Sequence, residues 1–249
     1  MPFTAAHPAI LAPLLWQQRR GLNRLALVCG AVAPDFEYFL RFRMRSLYSH
    51  TAWGAFVVDV PIALGLMVLT VVAYKYVLAA LAPRRWRTQW SSLVLPSKLP
   101  SSTSAWGVAV LSVVLGIWSH LLWDAFTHRT GWGVQAFASL STSVTSTLPV
   151  YRLLQHLSTA AGLVVVAVVV RRCLRSTTSS SSTTTLPPAP YTWLVLAFGA
   201  FIGGGLRAWH SQFALQSYGH VIVGCISGAL LAGLLWGLAL RRRSPSAPV

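Results

Sequence analysis

Only four acidic residues occur in the whole 249-residue chain, and charged residues of both signs make up just 10% of it. A soluble domain carries about a quarter charged residues, so there is too little charge here to cover a water-facing surface. Cysteine is as scarce. Cys29, Cys173 and Cys225 lie far apart with no CxxC spacing, which argues against a disulfide framework and against a thiolate metal site. There is no Rossmann glycine fingerprint, no phosphate-binding P-loop and no GxSxG elbow, so nucleotide-driven and serine-hydrolase mechanisms are not expected. The first apolar stretch precedes the basic cluster Arg19, Arg20 and Arg24. That order is the reverse of a cleaved signal peptide, and the segment is expected to be retained.

Apolar length is what the chain has in abundance. Hydrophobic residues reach 55%, with a mean hydropathy of +0.59. The net charge of +16 raises the question of a nucleic-acid partner. The arginines, however, sit in short clusters between apolar runs rather than along one polar face, which is the membrane-topology pattern. No nucleic-acid partner is expected. Apolar runs fall at residues 3–17, 22–40, 52–78, 106–127, 152–170, 192–209 and 219–240, each long enough to cross or nearly cross a hydrocarbon core of about 30 Å. The expected fold is an all-α, polytopic transmembrane helical bundle of six to seven spans, a single domain over residues 1–240. The first two runs are the weakest, one short and one carrying Asp35 and Glu37, and they fit a tilted or partly re-entrant hairpin. Residues 83–104 and 171–190, rich in Pro, Ser and Thr, are expected to be mobile linkers, and residues 241–249 a disordered tail.

Orientation follows from the basic residues. With the first run entering from outside, Arg19, Arg20, Arg24, Lys75, Arg84, Arg85, Arg87, Lys98, Arg171, Arg172, Arg175 and Arg241 to Arg243 share one side. Arg41, Arg43, Arg45, Arg129, Arg152 and Arg207 share the other, a split of fourteen against six among the twenty basic residues. The richer side is cytoplasmic, which puts the N-terminus outside and the C-terminus inside a bacterial cytoplasmic membrane. The same topology brings all seven histidines (7, 50, 120, 128, 156, 210, 220) and the four acids Asp35, Glu37, Asp59 and Asp124 to or near the outer ends of spans.

The sharpest motif is Ser119-His120-Leu121-Leu122-Trp123-Asp124-Ala125-Phe126-Thr127-His128. At i, i+4 and i+8 the helix period puts His120, Asp124 and His128 on one face. Imidazole nitrogen and carboxylate oxygen together suit Zn²⁺, Mn²⁺ or Fe²⁺ better than Ca²⁺, and an ionisable group in an apolar helix signals function by default. The alternative is that His128 caps the helix and Asp124 pairs with Arg129 or an arginine of 41–45. In Ala33-Pro34-Asp35-Phe36-Glu37 the proline is expected to open the helix and aim Asp35 out of the bundle wall. Glu37 lies about 200° round from Asp35 on a regular helix and so is not expected to share its ion unless the proline distorts the turn. His50 opens the third span. Asp59 follows it by about 13 Å of helix and either orients a ligand histidine or caps a helix restarted at Pro61. His7 is a ligand or a solvated terminal histidine. His156 is read as a hydrogen-bonding residue of the bundle, and His210 and His220 as headgroup-level residues.

The blocks PFTAAHPA, GAVAPDFEYF, YSHTAWGAFVVDVP, GIWSHLLWDAFTHRTGW and LLQHLSTAAGL resemble, in fixed order over residues 1–240, a bacterial membrane family of unknown function. The His/Asp series is also similar, more distantly, to a group described as membrane-bound metal-dependent hydrolases. That likeness implies metal ligation by Asp35 of the PD pair, His50, and His120 with Asp124 of SHxxxD. His7 and His128 match the nearer family only. The distant group often carries further acids near its PD motif, where this chain offers Glu37 alone.

Three functions follow as expectations. The first is a hydrolase with one divalent ion held by Asp35, His50, His120 and Asp124, together with His7 or His128. It would act on an ester or phosphoester of a lipid or lipid-linked substrate, with Glu37 or Asp59 as proton acceptor by elimination. The second is a metal-ion or solute transporter using the same residues, against which stands the lack of an internal repeat. The third is a structural membrane protein.

Overall fold

The computed structural model describes residues 3–16, 21–94, 98–176, 189–210 and 218–243. The Ser/Thr tract with Pro187 and Pro188, Arg19, Arg20, Pro96 and the last six residues of the tail lie outside the described residues. Nearly all the described chain is helical. Five helical stretches are long and apolar enough to cross a membrane: Ala52–Leu81, Thr103–Ala136, Val150–Ser176, Ala189–His210 and Tyr218–Arg243. The architecture is that of an all-α polytopic membrane protein.

The two weak N-terminal runs take a different form. Thr4–Leu11 is a 3-10 helix, continued by a helical turn at Ala12–Trp16. The second run is a 17-residue helix, α1 (Arg24–Leu40). Neither is among the five candidate spans. Pro34 lies inside α1 without ending it, and Asp35 is fully buried. The expectation that the proline would turn this carboxylate out of the bundle wall is therefore wrong, because the helix absorbs the proline and carries Asp35 inward. The third run, α2 (Ala52–Leu81), is interrupted by two π-helical turns at Ala55–Asp59 and Thr70–Tyr74. The described part of the 83–104 linker is not irregular throughout. It holds a 3-10 turn at Arg84–Trp86 and a helix, α3 (Arg87–Val94).

The remaining elements are α4 (Thr103–Thr127), two short helices α5 (Trp132–Ala136) and α6 (Ala138–Ser141), and a two-strand antiparallel hairpin of β1 (Ser143–Thr145) and β2 (Leu148–Pro149). The long helices α7 (Val150–Ser176), α8 (Ala189–His210) and α9 (Tyr218–Arg243) follow. The chain forms two compact units, each assembled from segments distant in sequence. The first comprises Met1–Asp35, Leu47–Leu64 and Pro100–Arg171, and the second Phe36–Ser46, Gly65–Leu99 and Arg172–Val249.

In the first unit α4 starts cleanly because the Ser102 hydroxyl accepts the Ala105 N–H at 3.2 Å, satisfying one orphan donor of the first turn. It packs on α1 at backbone distance. A Cβ on Gly30 would strike the carbonyl of Val113, and a Cβ on Gly116 would strike the carbonyl of Leu27. Asn23 locks the register, its N–H donating to the Ser112 hydroxyl at 2.9 Å while its side chain accepts from Ala26. The N-terminal segment docks on α7. There the Thr159 hydroxyl accepts the Phe3 N–H at 3.2 Å, and Gly162 leaves room for Ala6.

In the second unit α8 and α9 run antiparallel through Gly199 and Gly203 on one helix and Gly224 and Gly228 on the other, each filling space a Cβ would need. Such small-residue pairs are how membrane helices bring their backbones together. Ser227 donates to the Phe39 carbonyl at 2.8 Å, and Tyr74 to the Leu230 carbonyl at 2.7 Å. The outward residues of α8, Phe198, Phe201 and Trp209, are more than 60% exposed, as a lipid-facing surface requires.

Gly116→Ala tests the α1–α4 crossing. The added methyl meets backbone rather than a flexible side chain, and should cost about 1–3 kcal/mol, read as a lower unfolding temperature in detergent. An unchanged midpoint contradicts the close approach.

Candidate metal centre

Four segments of the first unit carry the cluster: the N-terminal 3-10 helix with His7, α1 with Asp35, the residues leading into α2 with His50, and α4 with His120 and Asp124. The α1–α4 approach at Gly30 and Gly116 sets its geometry. His120 stands one turn beyond Gly116, and its Nδ1 donates to the Ala31 carbonyl of α1 at 2.8 Å. With Nδ1 committed as donor, the neutral imidazole of His120 would carry its lone pair on Nε2.

Nε2 of His120 is 3.7 Å from Asp35 Oδ1 and 3.4 Å from Asp124 Oδ2. Nε2 of His50 is 3.8 Å and 3.4 Å from the same two oxygens. Ser49 Oγ stands 3.2 Å from His50 Nδ1. The Ser49–His50 contact is a hydrogen bond, but the four His–Asp separations of 3.4–3.8 Å exceed one, and His120 Nε2, Asp35 Oδ1 and both Asp124 oxygens are buried without a hydrogen-bond partner. They match instead the spacing of ligands around one small cation. Bonds of 2.0–2.2 Å in tetrahedral array hold neighbouring ligand atoms about 3.3–3.6 Å apart.

His7 stacks on His120, ring centroids 3.6 Å apart and planes at 15°, with its Nε2 3.6 Å from Asp124 Oδ1. Both of its nitrogens are buried and unbonded. Burial pushes the His7 imidazole down to about 3, with His120 adding to the effect and Asp124 opposing it. The ring is therefore neutral and its lone pair is available for a cation. Ligand atoms of His7, Asp35 and His120 lie within 4.8 Å of one another, as do those of His50, His120 and Asp124. Two carboxylates and one divalent ion sum to zero charge, which a low-dielectric site favours.

The other sequence-derived candidates fall differently. His128 is not on the face of His120 and Asp124, because α4 stops at Thr127 and His128 is an extended C-cap residue. Its Nδ1 lies 3.4 Å from Asp124 Oδ1 and 3.2 Å from the Asp124 carbonyl, so it flanks the cluster from the helix end. Asp124 meets imidazoles; an Arg129 pair is not among the ion pairs of the described residues. Glu37 belongs to the second unit. Its carboxylate accepts from Arg41 Nε at 2.7 Å and from the Ser46 hydroxyl at 2.9 Å. Asp59 is fully buried at the end of the first π-helical turn, and neither acid is in the converging groups. His156 is exposed rather than buried in the bundle, and His220 accepts the Met44 N–H at 3.1 Å.

One contributor escapes the sequence reading. The Thr4 hydroxyl donates to Asp35 Oδ2 at 2.7 Å, which leaves Oδ1 to face His50 and His120. Thr4 and His7 sit three apart in the PFTAAHPA block, and a 3-10 helix, with three residues per turn, puts such a pair on one side.

A polytopic helical membrane protein with a buried His/Asp centre is the class these features define. The chain belongs to the family described as a domain of unknown function (DUF4184), whose model matches residues 1–238. No curated protein and no solved structure gives a significant match.

Thr4→Val keeps the shape but removes the donor. It should weaken divalent-ion binding about 10- to 100-fold in competition with a chelating dye, and an unaltered affinity contradicts its orienting role.

Proposed function

We propose that the cluster binds one divalent transition-metal ion and that the chain is a membrane-embedded metal-dependent hydrolase of an ester or phosphoester in a lipid or lipid-linked substrate. In this reading it lies in a bacterial cytoplasmic membrane with the N-terminus and the centre on the extracytoplasmic side and the C-terminus inside. The observation that carries the reading is the convergence of His50 Nε2, His120 Nε2, Asp35 Oδ1 and Asp124 Oδ2 at 3.4–3.8 Å.

The donor set fits Zn²⁺, Mn²⁺ or Fe²⁺, being imidazole and carboxylate without thiolate. Such an ion supplies Lewis acidity and lowers the pKa of a bound water towards about 7. The protein's part is orientation and exclusion. Ala31 and Thr4 fix His120 and Asp35, and the bundle walls keep both side chains fully buried. His50 and His128, each 25% exposed in the side chain, mark the side from which water and substrate approach. Arg129, exposed beside His128, is available to a phosphate oxygen. Glu37, held by Arg41 and Ser46, gives no support to its expected role as proton acceptor.

Elemental analysis of detergent-purified protein should find about one divalent ion per chain, and the His120→Ala/Asp124→Ala double variant should find none. The loaded wild type should hydrolyse phospholipid or lipid-linked phosphoester probes, with at least a hundredfold loss in the double variant. A metal-free wild type overturns the centre. A loaded protein that carries metal or protons across proteoliposomes and hydrolyses no probe makes it a transporter. One that does neither and unfolds on chelation makes the ion structural.

A further inference from the structure

The second unit holds a polar feature that the metal centre does not use. The span Ala52–Leu81 ends at Leu81, and the chain turns at Pro83 into Arg84–Trp86 and α3 (Arg87–Val94). Being joined so closely to the end of a span, this helix lies in the interfacial layer, about 5–8 Å thick on each side of the hydrocarbon. Its composition suits that depth, with Arg84, Arg85 and Arg87 interleaved with Trp86 and Trp90. Arg87 bonds through Nη2 to the Ala80 carbonyl at 2.9 Å, capping the end of α2 and fixing the side chain. Its Nε, however, is buried without an acceptor, and so is the indole N–H of Trp90. At i and i+3 these two donors are neighbours on one face of α3. Arg84 and Arg85 remain exposed just before them, with the Arg85 guanidinium 4.4 Å over the Trp86 ring.

Both unmatched donors are enclosed, so the groups open to the headgroup layer are the exposed guanidiniums of Arg84 and Arg85, which lack an anionic acceptor belonging to that layer. We infer that Arg84 and Arg85 bind the phosphate of an anionic phospholipid. In the orientation proposed above this lipid is in the cytoplasmic leaflet, whose anionic surface attracts basic segments next to spans. The inference is independent of the metal centre.

The test is lipid binding by the purified protein in neutral detergent, read by native mass spectrometry during titration with phosphatidylglycerol or phosphatidylcholine. The wild type should retain phosphatidylglycerol at least tenfold more tightly. Each basic residue near the surface contributes about fivefold, so Arg84→Gln/Arg85→Gln should weaken phosphatidylglycerol about 25-fold and leave phosphatidylcholine unchanged. Arg85→Gln alone should weaken phosphatidylglycerol about fivefold, a readout that stands even if the double variant does not fold. Inorganic phosphate added alone should bind far more weakly than the lipid. Equal retention of the two lipids, unaltered affinity in the variants, or phosphate alone binding as tightly as phosphatidylglycerol would each overturn the assignment.

Discussion

A carboxylate taken out of water inside an apolar bundle must find compensating charge or hydrogen bonds, and this chain buries two of them side by side. Asp35 and Asp124 are 0% and 5% exposed, and each faces the Nε2 atoms of His50 and His120. Desolvating one such ion costs several kcal/mol even after relaxation. Thr4 satisfies one oxygen of Asp35; the rest of the demand falls on whatever sits among the imidazoles. A divalent cation would answer it at one stroke, because it would neutralise both carboxylates and accept the lone pairs that four closely packed histidine and aspartate atoms cannot share among themselves.

The surrounding structure serves that convergence. Two glycines let α1 and α4 approach until His120 reaches the Ala31 carbonyl. A third glycine on α7 seats the N-terminal 3-10 segment, which brings Thr4 and His7 to the same place. In membrane bundles small residues do the work that apolar side chains do in water, since lipid supplies no hydrophobic drive for helices to associate. Bulk and charge are inverted relative to a soluble protein. Large apolar side chains face outward, while histidine and aspartate are packed inside.

The legible part of this arrangement was local. Seven apolar runs read as six to seven spans, five of which the structure makes long and apolar enough to cross, and the i, i+4 spacing of His120 and Asp124 put both on one face of α4, where they are. Asp35 and His50 were recognisable as rare polar groups in apolar surroundings, and they join the same cluster. What could not be read was non-local or non-standard in backbone. The run at 3–17 looks like a short span, but Thr4–Leu11 winds as a 3-10 helix, so its use as a carrier of Thr4 and His7 had no periodic signature. His128 continued the helical pattern in sequence, yet α4 ends one residue earlier, and no charge or turn residue in the motif marks that stop. The inward aim of Asp35 depends on α1 tolerating Pro34, which neighbouring helices decide. The four-residue glycine spacings at Gly199–Gly203 and Gly224–Gly228 are visible in the sequence, but which helices they join is a tertiary fact.

X-ray absorption at the metal edge of the protein loaded with one divalent ion addresses the central claim most directly, because it counts ligand types without needing a substrate. The cluster predicts a shell of nitrogen and oxygen at about 2.0–2.2 Å, with the outer-ring scattering of at least two imidazoles and no sulfur. A shell containing sulfur, or one without imidazole scattering, would place the ion elsewhere and contradict a metal centre at Asp35, His50, His120 and Asp124.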